Sequence, residues 1–264
     1  MLRSAVEFAI GWNRRISLSA DRLAARWIDR TGGLADFTAR VVPGLLREHL
    51  RVLDVGGGRR PVIDPRDVAR LRLHVTGLDL SENELRAAPP GSYQATIVGD
   101  VGQLDIEGPY DLILSRAVLE HVADPAAALR SLSAALAPGG AMAHVVPCGR
   151  APFAVAHRIL GHRLSRRLLR ATHPDRTEIE SFEAYYRLCV PSQMAALCRR
   201  DGLEIAEITP HFASDYLHFC APLHLVELSR QTLFALCGLT DWCETFILVA
   251  RKPAPAASQP AAEP

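Results

Sequence analysis

The sequence has little of what marks several large classes of proteins. Its 264 residues carry 30 basic and 29 acidic side chains, so the net charge of +1 gives no general attraction to nucleic acid. No uncharged apolar stretch approaches the roughly 18 residues that span a bilayer, which argues against a transmembrane helix. Near the start, Glu7, Arg14 and Arg15 interrupt any apolar core, so no signal peptide is expected. Neither a nucleic-acid partner nor a membrane-spanning segment is therefore predicted.

The spacing of the cysteines and the scarcity of lysine are also informative. None of the six cysteines forms a Cys-x-x-Cys pair or has a histidine at metal spacing, so no metal site is predicted. Scattered in this way, they are typical of small buried hydrophobes in a reducing cytosol, and a cytoplasmic location is expected. Lys252 is the only lysine among the basic residues, which suggests a bacterial genome rich in G and C.

One short stretch carries the strongest positive signal. Val52, Leu53 and Val55 favour a buried parallel strand, and the next residues are Gly56, Gly57 and Gly58. Glycines let the chain turn sharply and let its backbone approach a ligand closely. A ligand carboxylate or phosphate could lie against the amides of such a turn. Pro61, three residues further on, fits the first turn of a helix.

A dinucleotide-binding turn is the obvious competitor, and it fits this stretch less well. That fingerprint is Gly-x-Gly-x-x-Gly, in which the third glycine lets the helix pack closely on the strand. Counted from Gly56, the third glycine position holds Pro61, and counted from Gly58 the second holds Arg60. A nicotinamide-dependent oxidoreductase is therefore the less favoured alternative.

Acidic residues at the ends of successive strands give the turn its context. Asp54 precedes the glycines, Asp79 closes a second strand, Asp100 follows a third, and a fourth strand spans residues 110–114. Over about residues 50–148 this series resembles the cofactor half of a class I S-adenosylmethionine-dependent methyltransferase. The resemblance implies an α/β fold with a Rossmann-like, seven-stranded, mostly parallel sheet. Helices would cover both faces, the final strand would be antiparallel, and helical insertions would be added.

The resemblance also implies roles for these residues with S-adenosylmethionine as the cofactor. Asp54 would support the turn, the three glycines would line the methionine moiety, and Asp79 would accept hydrogen bonds from the ribose hydroxyls. Asp100 would accept from the adenine amino group. The predicted cofactor site is completed by Leu80, by the backbone N–H of Val101, and by Ser115 and Arg116.

Two features of this site leave alternatives open. Asp79 could instead cap a helix, although Ser81 is the better cap because Glu84 lies three residues beyond it. Arg60 occupies the third small position of the family's turn, where the sequence departs from the pattern. That departure is the sequence support for a catalytically silent S-adenosylmethionine-binding or scaffold protein.

The chemistry implied is methyl transfer by in-line displacement at a sulfonium, which gains much from positioning. A base is needed only if the acceptor must lose a proton. Similar methyltransferases carry a Glu-His pair after the fourth strand, and Glu120 and His121 stand there. His121 is the predicted base, although a capped turn with exposed charges explains the pair as well. Weaker base candidates are Tyr185, Tyr186, His173 and His218, and the predicted substrate-binding residues are Glu120, Tyr185, Tyr186 and His218.

The rest of the chain divides into additions around this domain. The prediction is an N-terminal helical cap over 1–49, a methyltransferase domain over 50–252 and a disordered tail over 253–264. Insertions at about 149–188, with a basic amphipathic helix, and 209–243, with an apolar helix, could roof a pocket for a small or lipid-like acceptor. Contact with anionic lipid at a membrane surface, core packing and a homodimer interface remain alternative explanations of the same residues.

Overall fold

The computed structural model describes residues 2–172 and 183–254, and its centre is one seven-stranded sheet. The strand order is β3-β2-β1-β4-β5-β7-β6, and β7 runs antiparallel to both of its neighbours. This arrangement confirms the fold class predicted from the sequence. The strands are β1 (Arg51–Val55), β2 (His74–Asp79), β3 (Ala95–Val98), β4 (Tyr110–Arg116), β5 (Leu136–Pro147), β6 (Glu204–His211) and β7 (Thr245–Arg251).

Helices precede, connect and follow the strands. The α-helices are α1 (Leu2–Ala24), α2 (Gly33–Asp36), α3 (Val42–Leu45), α4 (Pro65–Arg70), α5 (Glu82–Arg86), α6 (Pro125–Ala135), α7 (Pro152–Thr172), α8 (Pro191–Arg200) and α9 (Ala221–Leu236). A π-helical turn, Phe37–Val41, joins α2 to α3, and 3₁₀ turns lie at Leu119–His121 and Thr240–Trp242. Within residues 2–172 and 183–254, no helix combines the length and the apolar character needed to span a bilayer.

The central strands have a hydrophobic core on each face, because successive side chains of a strand point to opposite sides. Leu53 and Ile113 pack with residues of α6 and α8 on one face. Val52, Leu112 and Leu114 pack with residues of α4 and of the helical run from α2 to α3 on the other. All five side chains are almost completely buried, which explains why β1 and β4 are apolar without alternation.

One predicted boundary was wrong. Pro61 does not begin a helix, since the chain stays irregular until α4 starts at Pro65, where Asp64 caps it by accepting the Arg66 N–H at 2.8 Å. Further along the chain, α6 ends at Ala135 and β5 begins at once, with a register shift where it first pairs with β4.

The basic helix predicted in the first insertion exists as α7 but is interrupted. Gly161 has φ +73° and ψ 163°, a conformation incompatible with a continuous α-helix. The apolar spacing from Phe153 to Leu168 therefore does not run along one uninterrupted helical face. His173 lies outside the described residues, as does the predicted disordered tail from residue 255 onward.

The second insertion is attached to the N-terminal helix. Within this insertion α9 packs on α1. The Asp21 carboxylate of α1 lies 2.8 Å from His218 Nε2 and 3.0 Å from His224 Nε2. Burial alone would raise the pKa of Asp21, but the hydrogen bonds to the two histidines and the charge of Arg30 outweigh it and lower the pKa well below its usual value. His218, predicted from the sequence as a substrate-binding residue, is therefore part of this interhelical cluster.

Candidate active site

A cavity of about 830 Å³ opens where β1, β2 and β4 end. Ligands of open α/β sheets bind at this edge, outside the carboxyl ends of the strands. Most of the predicted cofactor residues lie together in its wall. The lining includes Leu34, Thr38, Gly56, Gly57, Gly58, Arg60, Asp79, Leu80, Asp100, Val101, Arg116, Val118 and His121.

Asp54 of β1 packs against the glycine turn. The carboxylate is fully buried, and its Oδ2 accepts the Val62 N–H at 2.8 Å and the Tyr93 hydroxyl at 3.3 Å. Burial raises the pKa of Asp54 to about 6. A Cβ at Gly57 would lie 2.4 Å from Asp54 Oδ2 and 2.5 Å from the Tyr93 hydroxyl. Only glycine therefore fits at position 57.

The sequence left open whether Asp79 or Ser81 caps the next helix. Ser81 caps α5, accepting the Glu84 N–H on its Oγ at 3.3 Å, whereas Asp79 Oδ1 accepts the Ser81 N–H at 2.9 Å. Asp79 Oδ2 lies 2.9 Å from where a Cβ on Gly58 would stand, and Gly58 has φ +46°. Burial raises the pKa of Asp79. One carboxylate oxygen is thus used locally, and the other lies beside the glycine turn in the cavity wall.

The third and fourth strand ends complete the wall. Asp100 Oδ1 accepts the Gly102 N–H at 2.8 Å, which fixes the turn that carries Val101. Arg116 Nη2 donates to the carbonyl of Arg60 at 2.8 Å. Arg60 is the residue at which the turn departs from the family pattern, and its backbone is held in the cavity wall by this contact.

Some predicted residues lie elsewhere, and some wall residues were missed. Ser115 is fully buried and its Oγ pairs with His144 Nδ1 at 2.7 Å, so it does not line the cavity. Burial lowers the pKa of His144 to about 4. Leu34 and Thr38 line the cavity from the helical run before β1. No motif marks these two residues, and only the general expectation of an N-terminal cap pointed to this segment.

The 3₁₀ turn after β4 places Glu120 and His121 at the rim. His121 Nδ1 lies 3.1 Å from the Glu183 carbonyl, and because a carbonyl only accepts, Nδ1 carries the proton of the neutral ring. His121 Nε2 lies 3.7 Å from Glu120 Oε1. Glu120 is 3% exposed, and burial raises its pKa to about 8. Of the pair, only His121 lines the cavity.

The predicted tyrosines are tied to the same turn. The backbone N–H groups of Tyr185 and Tyr186 donate to the Glu120 carbonyl at 2.8 and 3.0 Å. Their side chains line a second cavity of about 750 Å³ rather than the first. The insertions contribute no residue to the described lining of the first cavity.

One group of side chains has the spacing of metal ligands. Asp21, His218 and His224 offer ligand atoms within 4.8 Å of one another. The Arg30 guanidinium, however, lies 2.6 Å from Asp21 Oδ1 and already compensates its charge. The cluster is explained as an ion-pair network between α1 and the second insertion.

With this geometry in place, comparison with known proteins decides the family. Residues 25–207 match the family model described as a methyltransferase domain. The chain belongs to this family. The methyltransferase is 28% identical to the ubiquinone biosynthesis O-methyltransferase of Nitrosococcus oceani, over 72% of its own length and 81% of the relative's. To the enzyme of that name from Aromatoleum aromaticum it is 31% identical, over 69% and 70% of the two chains.

Solved structures show the same fold at low sequence identity. An S-adenosylmethionine-dependent methyltransferase from Mesorhizobium loti aligns with TM-score 0.54 and 20% identity, over 84% of this chain and 98% of that one. Phosphoethanolamine N-methyltransferase 2 of Haemonchus contortus, in complex with S-adenosylmethionine, aligns with TM-score 0.52 and 16% identity, over 83% and 52%. The [4+2]-cyclase SpnF aligns with TM-score 0.52 and 18% identity, over 84% and 82%, so the fold alone does not specify the reaction.

The family match confirms the resemblance drawn from the sequence. The protein is an S-adenosylmethionine-dependent methyltransferase, and its relatives are bacterial. The cavity fits that cofactor. Gly56, Gly57 and Gly58 line it without side chains, so backbone borders the cavity there, and Asp79 and Asp100 stand at successive strand ends in the wall.

Proposed function

We propose that this methyltransferase transfers a methyl group to a hydroxyl oxygen of a small or lipid-like acceptor. The observation that carries the proposal is the position of His121, a base candidate in the cavity wall, in a chain similar to enzymes named O-methyltransferases. A hydroxyl must lose its proton when its oxygen is methylated, so a base at this rim has a defined task.

The cofactor would be held by the residues that converge on the first cavity. Asp79 would accept hydrogen bonds from the ribose hydroxyls, and Leu80 would cover the same edge. Asp100 and the Val101 N–H would bind the adenine, while the glycine turn and Arg116 would flank the methionine end. When bound, the cofactor supplies a methyl group already activated on a sulfonium. The chain has to orient the acceptor and remove its proton.

His121 would take the proton at Nε2. Its Nδ1–H donates to the Glu183 carbonyl, which fixes the tautomer and leaves Nε2 as the basic nitrogen. Glu120, with its pKa raised to about 8 by burial, is mostly protonated near neutral pH. A positive imidazolium 3.7 Å away would favour its ionised form, so Glu120 would act as a positioning residue that responds to the charge on His121.

The surface supports a lipid-like acceptor. Ile159 and Leu164 of α7 are 78% and 50% exposed, and Val226 and Leu236 of α9 are 72% and 66% exposed. Contiguous apolar patches mark protein or membrane contact surfaces, and these side chains are the ones that would form such a patch. The proposal includes a peripheral contact of these helices with a membrane and a cytoplasmic location. A homodimer that buries the same residues is the second candidate for the surface.

The proposal is tested by methyl transfer to phenols with and without a long alkyl tail. His121→Gln should lower kcat by about 10²–10⁴-fold while leaving binding of S-adenosylhomocysteine unchanged. His74→Gln is the matched control, because His74 is exposed on β2, remote from the cavity lining. Equal rates for the His121 variant and the wild type would show that His121 is not the base.

A further inference from the structure

Three arginines line the second cavity. It lies beside the turn that carries Glu120 and His121, between the start of α7 and the segment before α8. Arg150, Arg158 and Arg187 all line it, with Tyr185 and Tyr186. Among its described lining residues the only acidic one is Asp124.

Within residues 2–172 and 183–254, two of these arginines are held by backbone carbonyls rather than by carboxylates. Arg158 donates to the Gly149 carbonyl at 2.5 Å, and Arg187 donates to the Ala123 carbonyl at 3.0 Å. A backbone carbonyl orients a guanidinium but carries no net charge. Asp124 is already committed to α6, because its Oδ1 accepts the N–H groups of Ala126 and Ala127 at 3.1 and 3.0 Å.

The third arginine is supported mainly by an aromatic ring. The Arg150 guanidinium lies 5.3 Å from the centre of the Trp242 ring, and its contact with Asp241 Oδ2 is long at 3.6 Å. Asp241 Oδ2 is engaged more closely by the Ser192 hydroxyl at 2.5 Å. Arg150 thus lies in the cavity wall with one ring contact and one long ion pair.

The wall that carries the tyrosines is both strained and firmly anchored. Tyr186 and Leu188 have φ of +51° and +55°, a left-handed conformation that costs a residue other than glycine roughly 1–2 kcal/mol. The Glu120 carbonyl accepts from both tyrosine N–H groups, and Gly149 N–H donates to the Cys189 carbonyl at 2.6 Å. Strain that the surroundings maintain in this way is found most often at binding sites.

We propose that this cavity binds an oxyanion group, a carboxylate or a phosphate, carried by the methyl acceptor. Planar guanidiniums bind such groups through paired, charge-assisted hydrogen bonds. The lining of the second cavity begins at Ala123, two residues after His121, and the Tyr185 and Tyr186 N–H groups donate to the Glu120 carbonyl, so an acceptor anchored by its acid would present its hydroxyl toward the rim of the cofactor cavity. The identity of the bound molecule as the acceptor rests on the proposed function, whereas the oxyanion site itself does not.

Calorimetric titration with inorganic phosphate and with benzoate, at constant ionic strength set by chloride, tests the site directly. Arg187→Gln and Arg150→Gln should each weaken binding at least about tenfold, and Arg187→Lys should recover part of the loss. Arg70→Gln is the control, since Arg70 is an exposed arginine of α4 remote from the cavity. S-adenosylhomocysteine should bind every variant as it binds the wild type, which separates failure of this site from failure of the cofactor assignment.

A vesicle experiment separates the two sources of the oxyanion. If phosphate or benzoate binding depends on Arg150 and Arg187 while sedimentation with phosphatidylglycerol vesicles does not, a small acidic acceptor is supported. If phosphatidylglycerol vesicles, but not phosphatidylcholine vesicles, sediment the wild type and Arg187→Gln abolishes this, the oxyanion is a lipid headgroup. Equal anion binding by wild type, Arg150→Gln and Arg187→Gln, or no anion or vesicle binding that depends on these arginines, would overturn the proposal.

Discussion

Replacement of Asp79 by asparagine changes the predicted cofactor contact with little local disturbance. The amide oxygen can still accept the Ser81 N–H, a hydrogen bond of 2.9 Å that Oδ1 makes in the wild type. Oδ2, beside Gly58, becomes an NH₂ group that donates instead of accepting. A ribose hydroxyl that donated to this oxygen would lose its acceptor and the attraction of a full negative charge.

The expected loss follows from the hydrogen bonds that the carboxylate would accept. A hydrogen bond to a charged group contributes about 1.5–3 kcal/mol, and the half-buried position of Asp79 leaves water able to compete for part of it. With two ribose hydroxyls involved, Asp79→Asn should cost about 2–4 kcal/mol of cofactor binding, or roughly 30- to 1000-fold in Kd.

Calorimetric titration with S-adenosylhomocysteine measures this loss. The matched control is Asp67→Asn, which alters an exposed aspartate of α4 outside the cavity lining and should leave Kd unchanged. The midpoint of urea unfolding should be similar for both variants, which would exclude general destabilisation. An Asp79→Asn protein that binds as tightly as the wild type would refute the ribose assignment.

Three further predictions concern the supporting structure. Gly57→Ala places a Cβ 2.4 Å from a buried carboxylate oxygen and should lower both stability and cofactor affinity, whereas Gly44→Ala, with nothing within 4 Å, should be tolerated in urea unfolding and calorimetry. The pKa of Glu120 is raised to about 8 in the folded state, so its contribution to stability is complete below its unfolded pKa and is lost as pH rises through 8. The unfolding free energy of the wild type should therefore fall between about pH 5 and 8, and Glu120→Gln should reduce this fall by up to about 1.4 kcal/mol per pH unit. An unchanged dependence of unfolding free energy on pH would contradict the raised pKa of Glu120. Asp21→Ala removes the carboxylate shared by the buried His224, the partly buried His218 and Arg30, and should cost about 3 kcal/mol of unfolding free energy, against little for Asp67→Ala; equal costs would show that the network is unimportant.

The fold could be predicted because its signals are local. The glycine turn directly follows a strand, and an acid stands at the end of each of the next two strands. Because parallel strands end at one edge, these side chains converge without further information. The helix start near Pro61 was wrong for a tertiary reason. The Val62 N–H is taken by the Asp54 carboxylate, and the chain stays irregular until Pro65.

The parts of the site that depend on distant packing could not be predicted in the same way. His218 has no local motif, and its place beside Asp21 depends on how the second insertion packs on α1. Leu34 and Thr38 reach the cavity only because the helical run before β1 lies against the sheet. The arginine cavity likewise joins residues from the loop before α6, the start of α7 and the segment before α8. Spacing along the chain does not encode these contacts.

The most direct test of the account is methyl transfer itself, followed by location of the methyl group. The protein would be incubated with S-adenosylmethionine carrying a ¹³C-labelled methyl group and with an alkylated phenol that also bears a carboxylate, and the product would be examined by NMR. We predict a new methoxy carbon on the phenol, formed by the wild type and strongly reduced in His121→Gln. A methyl group on a ring carbon or on the carboxylate, or undiminished transfer by the His121 variant, would contradict transfer to the hydroxyl oxygen with His121 as the base.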